Sequence, residues 1–212
     1  MTPPDFDRLA PHYAAIEAVA FGGLLQWCRT SLLSEVTAAR RVLVLGEGDG
    51  RFLAAFLAAN PVATVDAIDG SPAMAALARR RAGAAAGRVR WHVADARRFA
   101  PPGPPYDLVV TNFFLDCFPA ADLGPLVAGL AESLTPGGRW LVGDFRVPAG
   151  RLPGLAARAA LAAMYAFFRL ATRLPAGRLI DPDPYLEAAG LCRVRAERRL
   201  GGFLTAGLWR KS

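Results

Sequence analysis

The sequence predicts an α/β fold: a doubly wound, seven-stranded sheet, mostly parallel, closed by an antiparallel C-terminal hairpin and covered by helices on both faces. Three observations carry this. Val42 to Leu45 is an unbroken apolar run, followed at once by Gly46, Gly48 and Gly50 and then by a helical pattern. Strand, glycine turn, helix is the opening of a nucleotide-binding unit. Two further strand-like runs each end on an acid, Asp69 and Asp95, which gathers polar groups at one edge of a parallel sheet. Finally, Leu191 to Leu200 and Phe203 to Arg210 are β-patterned and separated by Gly201-Gly202, which predicts a terminal hairpin.

At 212 residues the chain suits one well-buried α/β domain and is short for two. A hydrophobic content of 53%, much of it alanine, supports helices packed on both sheet faces. The longest apolar run free of charge, Ala159 to Phe168, falls far below the roughly 20 residues that cross a bilayer. The start, Met1-Thr2-Pro3-Pro4-Asp5, lacks the basic and apolar regions of a signal peptide, so none is expected. The net charge of +7 raises the question of nucleic acid. The arginines are spread along the chain, however, apart from Arg79, Arg80 and Arg81 at a helix end, where cations suit the macrodipole. A solvated basic surface, with no nucleic-acid partner, is the reading. Cys28, Cys117 and Cys192 are odd in number and far apart, which leads to the expectation of reduced thiols in a cytoplasm, with neither disulfides nor a metal site.

Thr2 to Pro4 reads as a loose start. From Asp5, the residues Phe6, Leu9, Tyr13, Ile16 and Ala20 recur at helical spacing, and Gly22 to Leu33 reads as a second helix. In the glycine turn, Gly46, Gly48 and Gly50 alternate with Glu47 and Asp49, so bare backbone can approach a ligand. The dinucleotide fingerprint is Gly-x-Gly-x-x-Gly with its helix aimed at a pyrophosphate, whereas this spacing better suits a ligand without phosphates. Arg51 to Ala59 is helical, and Ala63 to Ile68 is a strand that ends on Asp69. Gly70 follows, then Ser71 as N-cap and Pro72 at the first position of a helix reaching Arg81. Asp69 lies 23 positions after Gly46, where a nucleotide-binding fold places a carboxylate for both ribose hydroxyls; an ordinary loop acid is the alternative. Arg88 to Ala94 is a third strand ending in Asp95-Ala96, and Asp95 there could also cap a short helix. Pro101 to Pro105 is a surface loop, and Tyr106 to Asn112 a fourth strand that leaves the sheet at Thr111 and Asn112. Ala121 to Leu134 is a helix, with a turn and a fifth strand after it.

The stretch Arg41 to Phe52 resembles motif I of the class I S-adenosylmethionine-dependent methyltransferases, and Leu134-Thr135-Pro136-Gly137-Gly138-Arg139-Trp140-Leu141 is similar to that family's turn before strand five. The resemblance covers about Phe6 to Lys211 and in outline is to the ubiquinone and menaquinone methyltransferases and related small-molecule enzymes. It implies a Rossmann-like fold, S-adenosyl-L-methionine as cofactor and a small, hydrophobic acceptor. It also implies one methyltransferase domain over 1–212: lid helices in 1–36, a cofactor-binding core in 41–145, a helical insertion in 146–190 and a terminal hairpin in 191–212. By the same resemblance Gly46, Glu47, Gly48 and Gly50 cradle the cofactor, and Asp69, Gly70 and Ser71 meet its ribose. Asp95 and the backbone amide of Ala96 meet adenine, which needs one acceptor and one donor. Asn112 holds the motif IV position, but Asn112-Phe113-Phe114 lacks the Pro-Pro-Tyr with which amino methyltransferases hold a planar nitrogen. The family's acid two residues before the first glycine is Val44 here, and Glu47 or Asp49 are the residues that could offset it.

Phe6 to Tyr13 is similar to the lid helix of small-molecule methyltransferases, in which a tyrosine faces the transfer site; capping and packing of a surface helix by His12 and Tyr13 is an equal alternative. Should the acceptor need a base, His12, Tyr13, Asp116 and Asp144 are the candidates, with Asp116 equally readable as a first-turn helix acid and His92 as structural. Leu152 to Leu174 reads as a helix with Arg151, Arg158, Arg169 and Arg173 in one sector. The leading expectation is burial against the sheet with one wet edge. A hydrophobic substrate lid and a peripheral membrane contact are the other two. Asp181 to Pro184 then caps a short helix, Tyr185 to Ala189. A non-catalytic S-adenosylmethionine-binding protein or membrane-surface partner is the rival to an enzyme.

Overall fold

The computed structural model describes residues 5–103, 105–174 and 176–212, so the loose start expected at Thr2 to Pro4 lies outside the described residues. Its strands are β1 (Arg41–Leu45), β2 (Thr64–Asp69), β3 (Val89–Val93), β4 (Tyr106–Asn112), β5 (Leu134–Phe145), β6 (Leu191–Arg199) and β7 (Leu204–Lys211). They form one sheet in the order β3-β2-β1-β4-β5-β7-β6. The first five pair in parallel, and β7 runs antiparallel between β5 and β6. The helices are α1 (Tyr13–Phe21), α2 (Leu24–Thr30), α3 (Arg51–Ala59), α4 (Pro72–Ala82), α5 (Ala120–Glu132), α6 (Arg151–Thr172) and α7 (Asp183–Ala188).

The unbroken apolar run of β1 is explained by burial on both faces. Val42 and Val44 face a layer containing Phe52, Leu53 and Phe56 of α3 and Cys28 of α2. Leu43 and Leu45 face the opposite layer, with Leu123, Val127 and Leu130 of α5 and Leu186 of α7. Trp140 and Trp209, paired across β5 and β7, are fully buried in that second layer. The Trp140 indole N–H donates to Thr111 Oγ1 at 2.9 Å, which satisfies its one polar atom.

Several element ends differ from the sequence expectation by a few residues, and three of the differences have a clear physical basis. The first helix begins at Tyr13, not Asp5. Pro11 lacks an N–H and biases Ala10 away from helical backbone, so Phe6 to His12 form successive turns instead. The Pro136-Gly137-Gly138 turn sits inside β5: Tyr106 pairs with Leu134 while Leu108 already pairs with Arg139, so the intervening residues loop out. The terminal hairpin is present, but its connection is Leu200 to Phe203, not two glycines. Leu200, Gly201 and Gly202 all take left-handed backbone, with φ of 53°, 65° and 98°.

The largest correction concerns α6. It is not buried against the sheet; it lies on the surface and buries only Gly154, Ala157, Leu161, Tyr165 and Thr172, with Met164 and Phe168 partly buried beside them. Leu161 and Tyr165 join Phe145, Leu25 and Leu204 in a third apolar cluster beyond the carboxyl ends of the strands.

Candidate functional site

Strand order reverses between β1 and β4, and Leu45 pairs with Thr111 across that boundary. The segments that follow, Gly46 onward and Asn112 onward, therefore leave the sheet side by side. In open α/β sheets the crevice at such a reversal is where ligands bind. A cleft opens here, lined by Gly46, Gly48, Asp69, Gly70 and Ser71, and also by Asp95 and Ala96. Seven of the residues expected around the cofactor are thus brought together.

The three glycines have different jobs. Gly46 takes φ +63° and faces the Phe114 ring so closely that a side chain would collide with it. Gly48 takes φ +62°, and a Cβ there would meet nothing within 4 Å, so its open side is space for a ligand. Gly50 does not line the cleft. It is the left-handed N-cap of α3, and a Cβ on it would stand 2.5 Å from the Ala78 Cα, so it serves the packing of the turn on α4.

Asp69 Oδ1 accepts the Ser71 N–H at 2.8 Å and its Oδ2 accepts the Gly48 N–H at 2.9 Å. Burial pushes this carboxyl up, and the two amides work against that. Each oxygen keeps a second lone pair for a diol. Ser71 Oγ caps α4 by accepting the Met74 N–H at 3.1 Å and donates to Asp7, which also accepts the Ala73 N–H at 3.2 Å. Since Asp5 N–H donates to Thr172 O at 2.7 Å, the segment before α1 is strapped between α6 and α4, with Phe6 on the cleft. Asp95 is more engaged than expected: Arg97, also on the cleft, donates to it at 2.6 Å and 3.0 Å and holds the carboxyl below its ordinary range.

A small polar recess adjoins the glycine turn, lined by Tyr13, Arg29, Glu47, Asp49 and Asn112. Arg29 forms a bidentate pair with buried Glu17 at 2.7 Å and 2.8 Å, and Glu17 also meets Arg51 at 2.7 Å. Glu47 Oε1 caps α3 by accepting the Leu53 N–H at 2.9 Å, and burial pushes its carboxyl up to about 8. Asp49 is held by Arg51 and Arg81, which outweigh its burial and keep it ionised. Both polar atoms of the Asn112 side chain are buried without a hydrogen-bond partner among the described residues, so they offer a donor and an acceptor to a ligand. The open side of Gly48, the Asp69 carboxylate and the orphaned Asn112 amide together fit S-adenosylmethionine.

A second, mostly apolar pocket lies between α1 and α6. It shares Phe6, Tyr13, Phe113 and Cys117 with the cleft, so the two meet at these residues. Phe113 takes φ +51°, a left-handed backbone that costs a bulky residue and here aims its ring into the junction. Asp116 lines the pocket and is 4% exposed. Tyr165 Oη lies 3.3 Å from its Oδ2 and Cys117 Sγ 3.6 Å from its Oδ1. Burial pushes Asp116 up to about 6, against these donors. Asp144, fully buried behind it, is pushed well up by burial and then by the charge of Asp116.

Of the candidate bases, Tyr13 and Asp116 reach the site. His12 does not: it precedes α1 as an exposed residue and makes no capping bond. His92 binds Asp66 at 2.9 Å, away from the cleft. Arg97, Phe113 and Tyr165 were not expected at the site. A polar phenol on the inner stripe of an apolar helix was the one signal that could have pointed to Tyr165.

Residues 42–138 match the family model described as a methyltransferase domain. The chain is 34% identical over 145 residues to a demethylmenaquinone methyltransferase of Thermus thermophilus, which covers 68% of this chain and 65% of that one. It is 34% identical over 169 residues to a trans-aconitate 2-methyltransferase of Methylobacterium nodulans, over 75% of this chain and 60% of that one. Among solved structures, an O-methyltransferase family protein from Burkholderia thailandensis superposes with a TM-score of 0.71 at 24% identity, over 100% of this chain and 65% of that one. The chain spans somewhat under two thirds of the length of these relatives.

Proposed function

The chain belongs to the class I S-adenosylmethionine-dependent methyltransferase family, and from that premise we propose that it transfers a methyl group to a small apolar acceptor bearing an ionisable hydroxyl or an acidic carbon. The observation that carries this is the junction of the two cavities at Tyr13, Phe113 and Cys117, with a buried carboxyl, Asp116, on the acceptor side. A protein that only bound the cofactor would have no use for the adjoining pocket.

S-adenosylmethionine supplies a methyl group activated by its sulfonium, which leaves the protein to align, to exclude water and to take up a proton. The glycine turn, Asp69 and Asn112 hold the cofactor end. Phe6, carried by the strap before α1, and Tyr13 cover the junction, while Phe113 forms a wall between the two cavities. Asp116 accepts the proton lost by the acceptor. Near neutral pH it is ionised, since its carboxyl titrates at about 6, whereas the carboxyl of Asp144 behind it is pushed well up by burial. Tyr165 holds the Asp116 carboxylate in place from α6.

The lining also selects among acceptors. Its charged side chains, among the described residues, are Asp116 and Glu17, and Glu17 is already paired with Arg29 and Arg51. A polycarboxylate such as trans-aconitate would meet the Asp116 charge in a desolvated pocket and no cation among the described lining residues. An apolar acceptor of the demethylmenaquinone kind meets Phe145, Met164, Phe167 and Phe168 instead. The test is to supply radiolabelled S-adenosylmethionine with quinone-bearing lipids and with aliphatic polyacids. Label in the organic-extractable product supports the proposal, and label confined to carboxylate esters rejects it.

A further inference from the structure

We propose that the outward faces of α1 and α6 form a docking surface for an anionic lipid bilayer, so that the acceptor pocket opens onto the membrane. The docking stands on surface chemistry alone; what passes through the opening rests on the apolar acceptor proposed above.

Five of the nine large hydrophobic side chains left exposed among the described residues lie on these two helices: Val19, Leu152, Leu155, Phe167 and Leu170. Val19 is 90% exposed, Leu152 81% and Leu170 88%. At about 100° per residue, Leu152, Ala156, Ala159, Ala163, Ala166 and Leu170 share one outward sector of α6. That sector lies opposite the inward stripe of Gly154, Ala157, Leu161 and Tyr165. Ala20, Ala160 and Phe167 both line the acceptor pocket and are exposed, so the opening lies between the helices and is continuous with the apolar face.

Charge identifies the occupant. Arg151, Arg158 and Arg169 run along one edge of the apolar sector, Arg173 caps the helix, and all four are exposed. None of the four has an ion-pair partner among the described residues, and α6 contains no acid. A second copy laid on the same face would bring arginine against arginine. A bilayer accepts both features at once, apolar side chains below the headgroups and guanidinium groups at the phosphates. By length and composition α6 could also cross a membrane, with a mean hydropathy of 1.3. Its inward stripe, however, is packed in the apolar cluster beyond the carboxyl ends of the strands, so it lies along the surface.

Sedimentation with vesicles of phosphatidylcholine, with and without phosphatidylglycerol, tests the proposal at low and high salt. The chain is expected to sediment with the anionic vesicles and to stay in solution with the neutral ones. Replacing Leu152→Glu together with Leu170→Glu, both exposed and so free of the core, should weaken partition about tenfold or more. Each Arg→Ala change at 151, 158 or 169 should weaken it roughly fivefold. No sedimentation with anionic vesicles, or equal sedimentation of the double glutamate variant, overturns the proposal. A salt-insensitive dimer that the glutamate variant dissolves would also overturn it, in favour of a second copy. Calorimetric binding of S-adenosylhomocysteine by the same preparations reads the methyltransferase assignment separately and should not change in these variants.

Discussion

Asp69 Oδ2 accepts the backbone N–H of Gly48 at 2.9 Å, so the acid that ends β2 is tied to the turn that follows β1. One carboxylate thereby sets the shape of the glycine turn and presents its remaining lone pairs to the same cleft. Asp69→Ala removes both and should weaken S-adenosylhomocysteine binding about a hundredfold or more, since charge-assisted hydrogen bonds are lost at a partly buried site. Titration calorimetry, with circular dichroism to show an unchanged fold, reads the effect.

Gly48 and Gly50 should separate cleanly. Gly50→Ala puts a methyl 2.5 Å from the Ala78 Cα at a φ of +86° and should cost about 2–4 kcal/mol of stability in urea unfolding. Gly48→Ala meets no neighbour and should cost only the left-handed backbone, about 1–2 kcal/mol. It should nevertheless lose ligand affinity, because its methyl enters the cleft.

If Asp116 takes the acceptor's proton, kcat should rise as the pH passes through about 6 and then level off. Asp116→Asn should lower kcat by about 10²–10⁴ and abolish that acid limb, with cofactor affinity unchanged. Tyr165→Phe removes a donor that favours the charged carboxylate, so the limb should move to higher pH. A limb that stays in place would place the Tyr165 contact outside catalysis.

Glu47 makes stability fall with pH in the cofactor-free chain. Its carboxyl titrates at about 8 when folded, against 4.5 ordinarily, because burial disfavours the charge. Its stabilising contribution is full below about pH 4.5, is lost as the pH rises toward 8 and changes no further above that. Glu47→Gln keeps an oxygen for the Leu53 N–H and should flatten this fall in urea midpoints measured across the window.

Local signals were legible in the sequence where local physics decides the structure. Arg51 to Ala59 is helix to the residue expected, Ser71 caps α4, and the acid-ended strands deliver Asp69 and Asp95 to one cleft. What escaped depends on partners far along the chain. The Asp116–Tyr165 contact joins a turn after β4 to the middle of α6, and the strained Phe113 follows from its place at the cavity junction. The α6 helix was misjudged because its alanines suit a buried face and an exposed one equally, and only its packing stripe distinguishes them. His12 fell outside the site because Pro11 displaced the helix start.

The central claim, that the cleft at the β1–β4 reversal is an S-adenosylmethionine site, is tested most directly by titrating the purified chain with S-adenosylhomocysteine and, separately, with NAD. Saturable heat with S-adenosylhomocysteine, lost in Asp69→Ala, and none with NAD is the expected result. No heat with S-adenosylhomocysteine, or unaltered binding in the folded Asp69→Ala variant, would contradict it.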